Sequence, residues 1–199
     1  MTTPILVDDA ALRAHRAWLE RGGVGPGRLE WVNVDRRAAH LAGEKLDGVR
    51  FHTVDLTGAK LDGAHFDGAE FLHVTCTHAA MQAVRLWDAT ITECVFDAAK
   101  LTHAEFDRAS LVRCSFSNAL LDVTSWDGAT LTECDLRGVQ FAGADFTNAR
   151  FIRCRFAGTH GVLGADENLV VVEGDVSDLG DASHLVDADG LLSYLSRPR

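Results

Sequence analysis

The chain has 199 residues, 47% of them hydrophobic and 24% charged, with 29 acidic against 19 basic residues and a formal net charge of −10. That balance argues against nucleic acid as a direct ligand, because phosphate binding needs a basic face, and no run approaches the ~20 apolar residues of a membrane span. Five cysteines, an odd number in a chain long enough to bury its own core, fit a reducing compartment, and the start lacks a basic-then-apolar leader, so the expectation is a cytoplasmic protein.

The first predicted element is a helix over residues 8–21, "DDAALRAHRAWLER". Asp8 or Asp9 can cap its start and Gly22-Gly23 can end it. Leu12, His15, Trp18 and Leu19 fall on one stripe, which should lie over the open end of the next element. Trp31 and Val34 are already in phase with that element, but Arg36 occupies a large-residue position, so residues 1–38 read as a cap with a partial first coil.

From Leu41 to Phe156 every fifth residue is large and apolar except for Cys76, an unbroken series of 24 positions. Two residues before each stands something smaller, from Ala39 to Cys154, with Glu44 the one charged exception. Gly or Asn often follows two after, as at Gly58, Gly63, Asn118 and Asn148. A period of five fits neither a helix at 3.6 nor a strand at 2. It describes a short extended piece and a corner; four corners close a square, so one coil takes 20 residues and stacked coils pair as parallel ladders about 4.8 Å apart.

Units such as "AKLDGAHFDGAEF" at 59–71 and "ADFTNARF" at 144–151 resemble the pentapeptide-repeat proteins over about residues 39–158. The resemblance implies an all-β solenoid, a right-handed quadrilateral parallel β-helix of about six coils with short terminal helices as caps. At ~4.8 Å per coil the rod is roughly 29 Å long. Cys94, Cys114, Cys134 and Cys154 recur every 20 residues and continue a wall column begun by Val54 and Val74. They read as small buried hydrophobes: stacked β-carbons stand wider than a disulfide prefers, and ligands lined along an axis do not converge on a metal. Cys76 reads the same way. No metal or cofactor is expected.

Residues 161–199 read as an acidic C-terminal cap or dimerisation segment, with a short strand at Leu169 to Val172 and a weak helix around 182–195. Leu185, Leu192 and Leu195 carry its apolar stripe. In the topoisomerase-protecting members of the resembled family the C-terminal end of the rod forms a two-fold dimer, which the stripe could serve as well as it could a lid.

The charge divides unevenly: +1 over residues 1–40, −5 over 41–160 and −6 over 161–199. Sorted by place in the coil, one face of the rod holds Asp47, Asp67, Asp88, Glu105, Asp107, Asp127 and Asp145 against Lys45, Arg85 and Arg108, with Trp87 in the middle of its central column. Two readings of this face stand side by side. Aspartate recurs there because its side chain caps turn N–H groups, or the regular carboxylates imitate the phosphates of a duplex. Catalytic signatures such as G-x-S-x-G, H-E-x-x-H and the P-loop are missing from the sequence, and an enzyme is not expected. The resemblance implies a binding protein without direct nucleic-acid or membrane contact. It would be a DNA mimic that occupies the DNA saddle of DNA gyrase or another type II topoisomerase, protecting it from quinolones or natural-product inhibitors. The alternative is a structural scaffold module with an unrelated protein partner.

Overall fold

The computed structural model describes residues 9–159 and 170–172. Its one helix among these, α1, runs Asp9–Glu20. A parallel sheet then climbs the rod: β1 (Glu30–Asp35), β2 (Arg50–Asp55), β3 (Glu70–Leu72), β4 (Thr90–Thr92), β5 (Ser110–Val112), β6 (Thr130–Thr132), β7 (Arg150–Ile152) and β8 (Val170–Val172). Each strand pairs only with its chain neighbours, in a register of 20: Phe51 on Phe71, Ile91 on Leu111, Leu131 on Phe151. The other three sides of the coil carry single parallel bridges with the same step, as in Asp55–Thr75, Lys60–Ala80 and His65–Arg85. The repeat region is therefore a parallel β-solenoid of about six turns, as the five-residue period requires.

Local chemistry explains each side. The large residue of every unit points to the axis and is buried, Leu61, Phe66, Phe116 and Trp126 completely. Rings stack coil on coil, with centroids 5.3 Å apart for Phe51 on Phe71 and 4.1 Å for Phe106 on Trp126. Edge contacts join adjacent sides, as in Phe66 against Phe71 at 5.2 Å. Such stacked and edge pairs add to the burial term. Trp126 is the largest residue on the axis and brings a polar N–H with it. Thr124, in a column otherwise mostly alanine or valine, accepts that N–H at 2.8 Å and donates its own hydroxyl to the Leu121 carbonyl at 2.7 Å.

The corner residue two after each large one is left-handed throughout, whether glycine (Gly58, φ 66°) or not (His78, φ 56°; Val123, φ 56°). At three corners the next N–H bonds back to the large residue's carbonyl, as Ala59 to Leu56 at 2.9 Å and Ala64 to Leu61 at 2.9 Å. This is the closed turn whose third residue needs positive φ. At the fourth corner, which follows the strand side, the described residues from coil β3 to coil β7 do not make that back-bond. This corner is wider, and the cysteine column stands in it.

The N-terminal end is closed by α1. Leu12 and His15 are buried against the first coil, and Trp18 and Leu19 are half-buried. The Trp18 ring lies so close to Gly48 that a β-carbon there would stand 3.2 Å from it. Arg16 reaches Glu44 at 2.6 Å, which explains the one charged residue in the small-residue column: it anchors the cap. Arg36, out of pattern on the axis, stacks its guanidinium 5.0 Å from the Trp31 ring. The carboxyl-terminal stripe of Leu185, Leu192 and Leu195, and the helix expected around it, lie outside the described residues.

Candidate functional site

The acidic face sits on the side that begins at Lys45, His65, Arg85, Glu105, Ser125 and Asp145, which are bridged in one line from coil to coil. The register stacks the columns as the period predicts, and the side chains show what each carboxylate is bonded to. Asp47 accepts the Asp67 N–H one coil on, at 3.1 Å. Asp67 holds Arg85 through two contacts, 2.8 Å at Nε and 2.5 Å at Nη2. Asp88 pairs with Arg108 by two parallel bonds of 2.9 Å, and that hydrogen bonding holds its carboxyl below the usual range. Asp107 accepts the Ser125 hydroxyl, Asp127 the Asn148 amide at 2.9 Å, and Asp145 both the N–H and the hydroxyl of Thr147, at 2.9 and 2.7 Å. Glu105 stands in line with Arg85, one coil on.

Capping of N–H groups by aspartate is thus real, and it works in two directions. Asp47, Asp62, Asp97 and Asp122 accept the N–H of the equivalent residue 20 positions on, so they staple coils together. Asp55, Asp135 and Asp145 accept the N–H two residues on, within their own coil. The two arginines pair with acids of the first coils, while Glu105, Asp107, Asp127 and Asp145 make no ion pair among the described residues. The negative charge of this face is therefore concentrated toward its C-terminal half. Trp87 is half-buried and Arg85 lies 4.7 Å over its ring, with the indole N–H buried and without an acceptor. It is a covered element of the face rather than a protruding anchor.

The cysteines answer the packing expectation and add to it. All five are buried and free. Those in the wide corner also donate weakly to the carbonyls left over there: Cys114 Sγ to Ile91 and Val112 at 3.5 Å, Cys154 Sγ to Leu131 at 3.4 Å. Cys94 Sγ in turn accepts the Val74 N–H at 3.4 Å. Burial pushes the Cys76 thiol far up, and Cys94 and Cys134 are raised by hydrogen bonding to Cys114 as well as by burial. Among the described residues no group of three His, Cys, Asp or Glu side chains is placed to hold a metal, and no helix is long and apolar enough to cross a membrane.

Sequence reasoning missed the charge alternation beside the wide corner. His73, Glu93, Arg113, Glu133 and Arg153 occupy successive coils of one column. Glu93 joins His73 at 3.1 Å and Arg113 at 2.5 Å, and Glu133 joins Arg153 at 2.6 Å. Glu30, Arg50 and Glu70 do the same on the other flank of the sheet, at 3.3 and 3.1 Å. Writing the sequence in rows of 20 exposes both columns; counting net charge per face cancels them.

A square solenoid with one large and one small inward residue per five, a left-handed corner and a convex charged exterior defines a non-globular repeat protein. The model for the pentapeptide repeat region matches residues 49–126 and 89–161, more than half of the chain, and the chain belongs to that family. Among solved structures it is similar to full-length QnrB1, a plasmid-mediated fluoroquinolone resistance protein, at 18% identity over 72% of this chain and 92% of that one, TM-score 0.31. It is also similar to HetL, a pentapeptide repeat protein involved in heterocyst differentiation regulation from the cyanobacterium Nostoc sp. strain PCC 7120, at 17% identity over 67% and 70%, TM-score 0.25. A third likeness is to a pentapeptide repeat protein of the Arabidopsis thaliana thylakoid lumen, at 21% identity over 65% and 77%, TM-score 0.21. These likenesses are of fold alone. A comparison with curated proteins finds no match to the sequence.

Proposed function

We propose that the chain is a non-catalytic, cytoplasmic binding protein whose acidic face engages the DNA-binding surface of a protein partner. The partner of choice is a type II topoisomerase, DNA gyrase in particular. Occupying the DNA site would lower the fraction of enzyme trapped on DNA by quinolones or natural-product inhibitors. The observation that carries this reading is the column Asp47, Asp67, Asp107 and Asp127: four carboxylates over five coils, broken by Trp87, each fixed by a neighbour's hydrogen bond. A held carboxylate loses little conformational entropy on meeting a basic partner. Complementary fields also speed encounter between an acidic rod and a basic saddle. A homodimer through Leu185, Leu192 and Leu195 belongs to this proposal, as it would double the length of the charged face.

A specific observation favours the second reading, a scaffold module. Each of these bonds also staples one coil to another, so the aspartates have a structural use without any partner. The test separates charge from capping. Purified protein is added to a gyrase supercoiling assay poisoned with a quinolone. The variant Asp47→Asn, Asp107→Asn, Asp127→Asn, Asp145→Asn keeps an acceptor oxygen at each cap but removes four charges. Rescue by the natural protein and its loss in a variant of unchanged melting temperature support topoisomerase protection. Absence of rescue at every concentration of natural protein leaves the scaffold reading.

A further inference from the structure

We propose that the C-terminal half of the wide corner is a second binding surface, of opposite sign to the acidic face, and that it takes an extended acidic polypeptide segment. At this corner lies a groove of ≈ 440 Å³ lined by Arg113, Glu133, Asp135, Arg153 and Arg155. The lining carries three arginines against two acids and no lysine, a local +1 in a chain whose total is −10. Positive charge held against the sign of the whole molecule needs a use beyond solubility.

The arginines are not equally committed. Arg113 bonds Glu93 through Nε and Nη2, so Nη1 takes no part in that pair. Arg155 is exposed, and its guanidinium makes no hydrogen bond or ion pair with any described residue. Asp135, the acid nearest to it in the groove, is bonded instead to Arg137, at 2.8 and 2.5 Å. Guanidinium groups present a planar fork suited to carboxylates. Arg113 and Arg153 stand two coils apart, about 9.6 Å along the axis. A single small anion cannot bridge that span, whereas an extended chain places carboxylates about three residues apart over it. The groove is open to solvent, and Arg113 and Arg153 are set out along the rod. Nothing in this surface overlaps the acidic face, so its occupancy is independent of the topoisomerase reading.

The test uses the full chain and a fluorescein-labelled hexaglutamate peptide, read by fluorescence polarisation at low salt. Binding that weakens as sodium chloride is added is expected. In Arg113→Glu, Arg155→Glu it should fall at least about tenfold, the worth of one charge-assisted hydrogen bond. The double reversal should still melt cooperatively, at a somewhat lower temperature, because residue 113 then stands as a third glutamate between Glu93 and Glu133; Arg155→Glu alone, at an exposed residue, should leave the melting temperature unchanged and still weaken binding. Arg155→Lys, which keeps the charge and loses the fork, should bind with intermediate affinity, and Asp107→Asn, Asp127→Asn as the natural protein does. No binding of hexaglutamate, binding undiminished in the double reversal, or equal affinity for a labelled dT hexanucleotide would each overturn the proposal.

Discussion

Val123 is 51% exposed and sits in the left-handed region at φ 56°, where a β-branched side chain is crowded by its own backbone. Val123→Asn should therefore raise stability by about 1 kcal/mol and the melting temperature by a few degrees, measurable by differential scanning calorimetry. Thr124 and Trp126 pull the other way. Thr124→Val is close to isosteric, yet it strips the acceptor from a completely buried indole N–H and should cost about 1–3 kcal/mol. Cys114→Ala should cost less than a Leu→Ala change on the axis, since it removes one sulfur and weak bonds of 3.5 Å. The inward large and small residues were legible because only one phase of a five-residue period satisfies them all. Left-handed geometry at Gly and Asn was legible too. At Glu93, Arg113 and Val123 it was not, because their own propensities oppose it and only position in the coil imposes it.

At the scale of elements, the cap is the part most exposed to conditions. His15 is completely buried; its Nδ1 accepts the Leu29 N–H at 3.1 Å and its Nε2 has no partner. Burial lowers its pKa from 6.5, Asp47 opposing and Arg28 assisting. The docked cap thus requires neutral His15. Its stabilisation is complete above pH 6.5, the ordinary value, and is lost as pH falls below it through the lowered one. Urea midpoints measured from pH 7.5 down to 5 should decline, and His15→Gln, which keeps an acceptor without the titration, should flatten that part of the curve. The helix and its buried stripe were legible from spacing and end signals. The wide corner was not sought, although the sequence marks it: from Thr53 to Arg153 its left-handed position never holds Gly or Asn, unlike the other three. The backbone there is left-handed all the same, φ 57° at Thr53 and 53° at Arg153, so the coil imposes that geometry on residues that do not favour it.

For the whole molecule, the 20-residue register makes stability nearly additive along the axis. Excising residues 90–109 joins Ala89 to Ser110 with every later residue still in its column, so a folded, shorter and less stable rod should result. Excising 90–111 shifts the phase by two, drives polar residues onto the axis, and should abolish cooperative melting by circular dichroism. Excising residues 100–109 distinguishes core from exterior: the axis pattern survives while Arg113 and Glu93 leave each other's column, so folding should persist with less stability and altered charged faces. The solenoid and its length were legible almost in full because a repeat repeats its own evidence. The acidic face was legible too, once positions were sorted by place in the coil; the uneven charge along it and the alternating columns beside the wide corner were not, since they depend on side and height together. That dependence has a further result. A lattice of identical rungs offers any ligand a set of near-equivalent berths one rung apart, and a partner would slip among them. Trp87, sitting under Arg85 where neighbouring rungs carry aspartate, breaks the translational symmetry, and would give a partner on this face an origin from which to count.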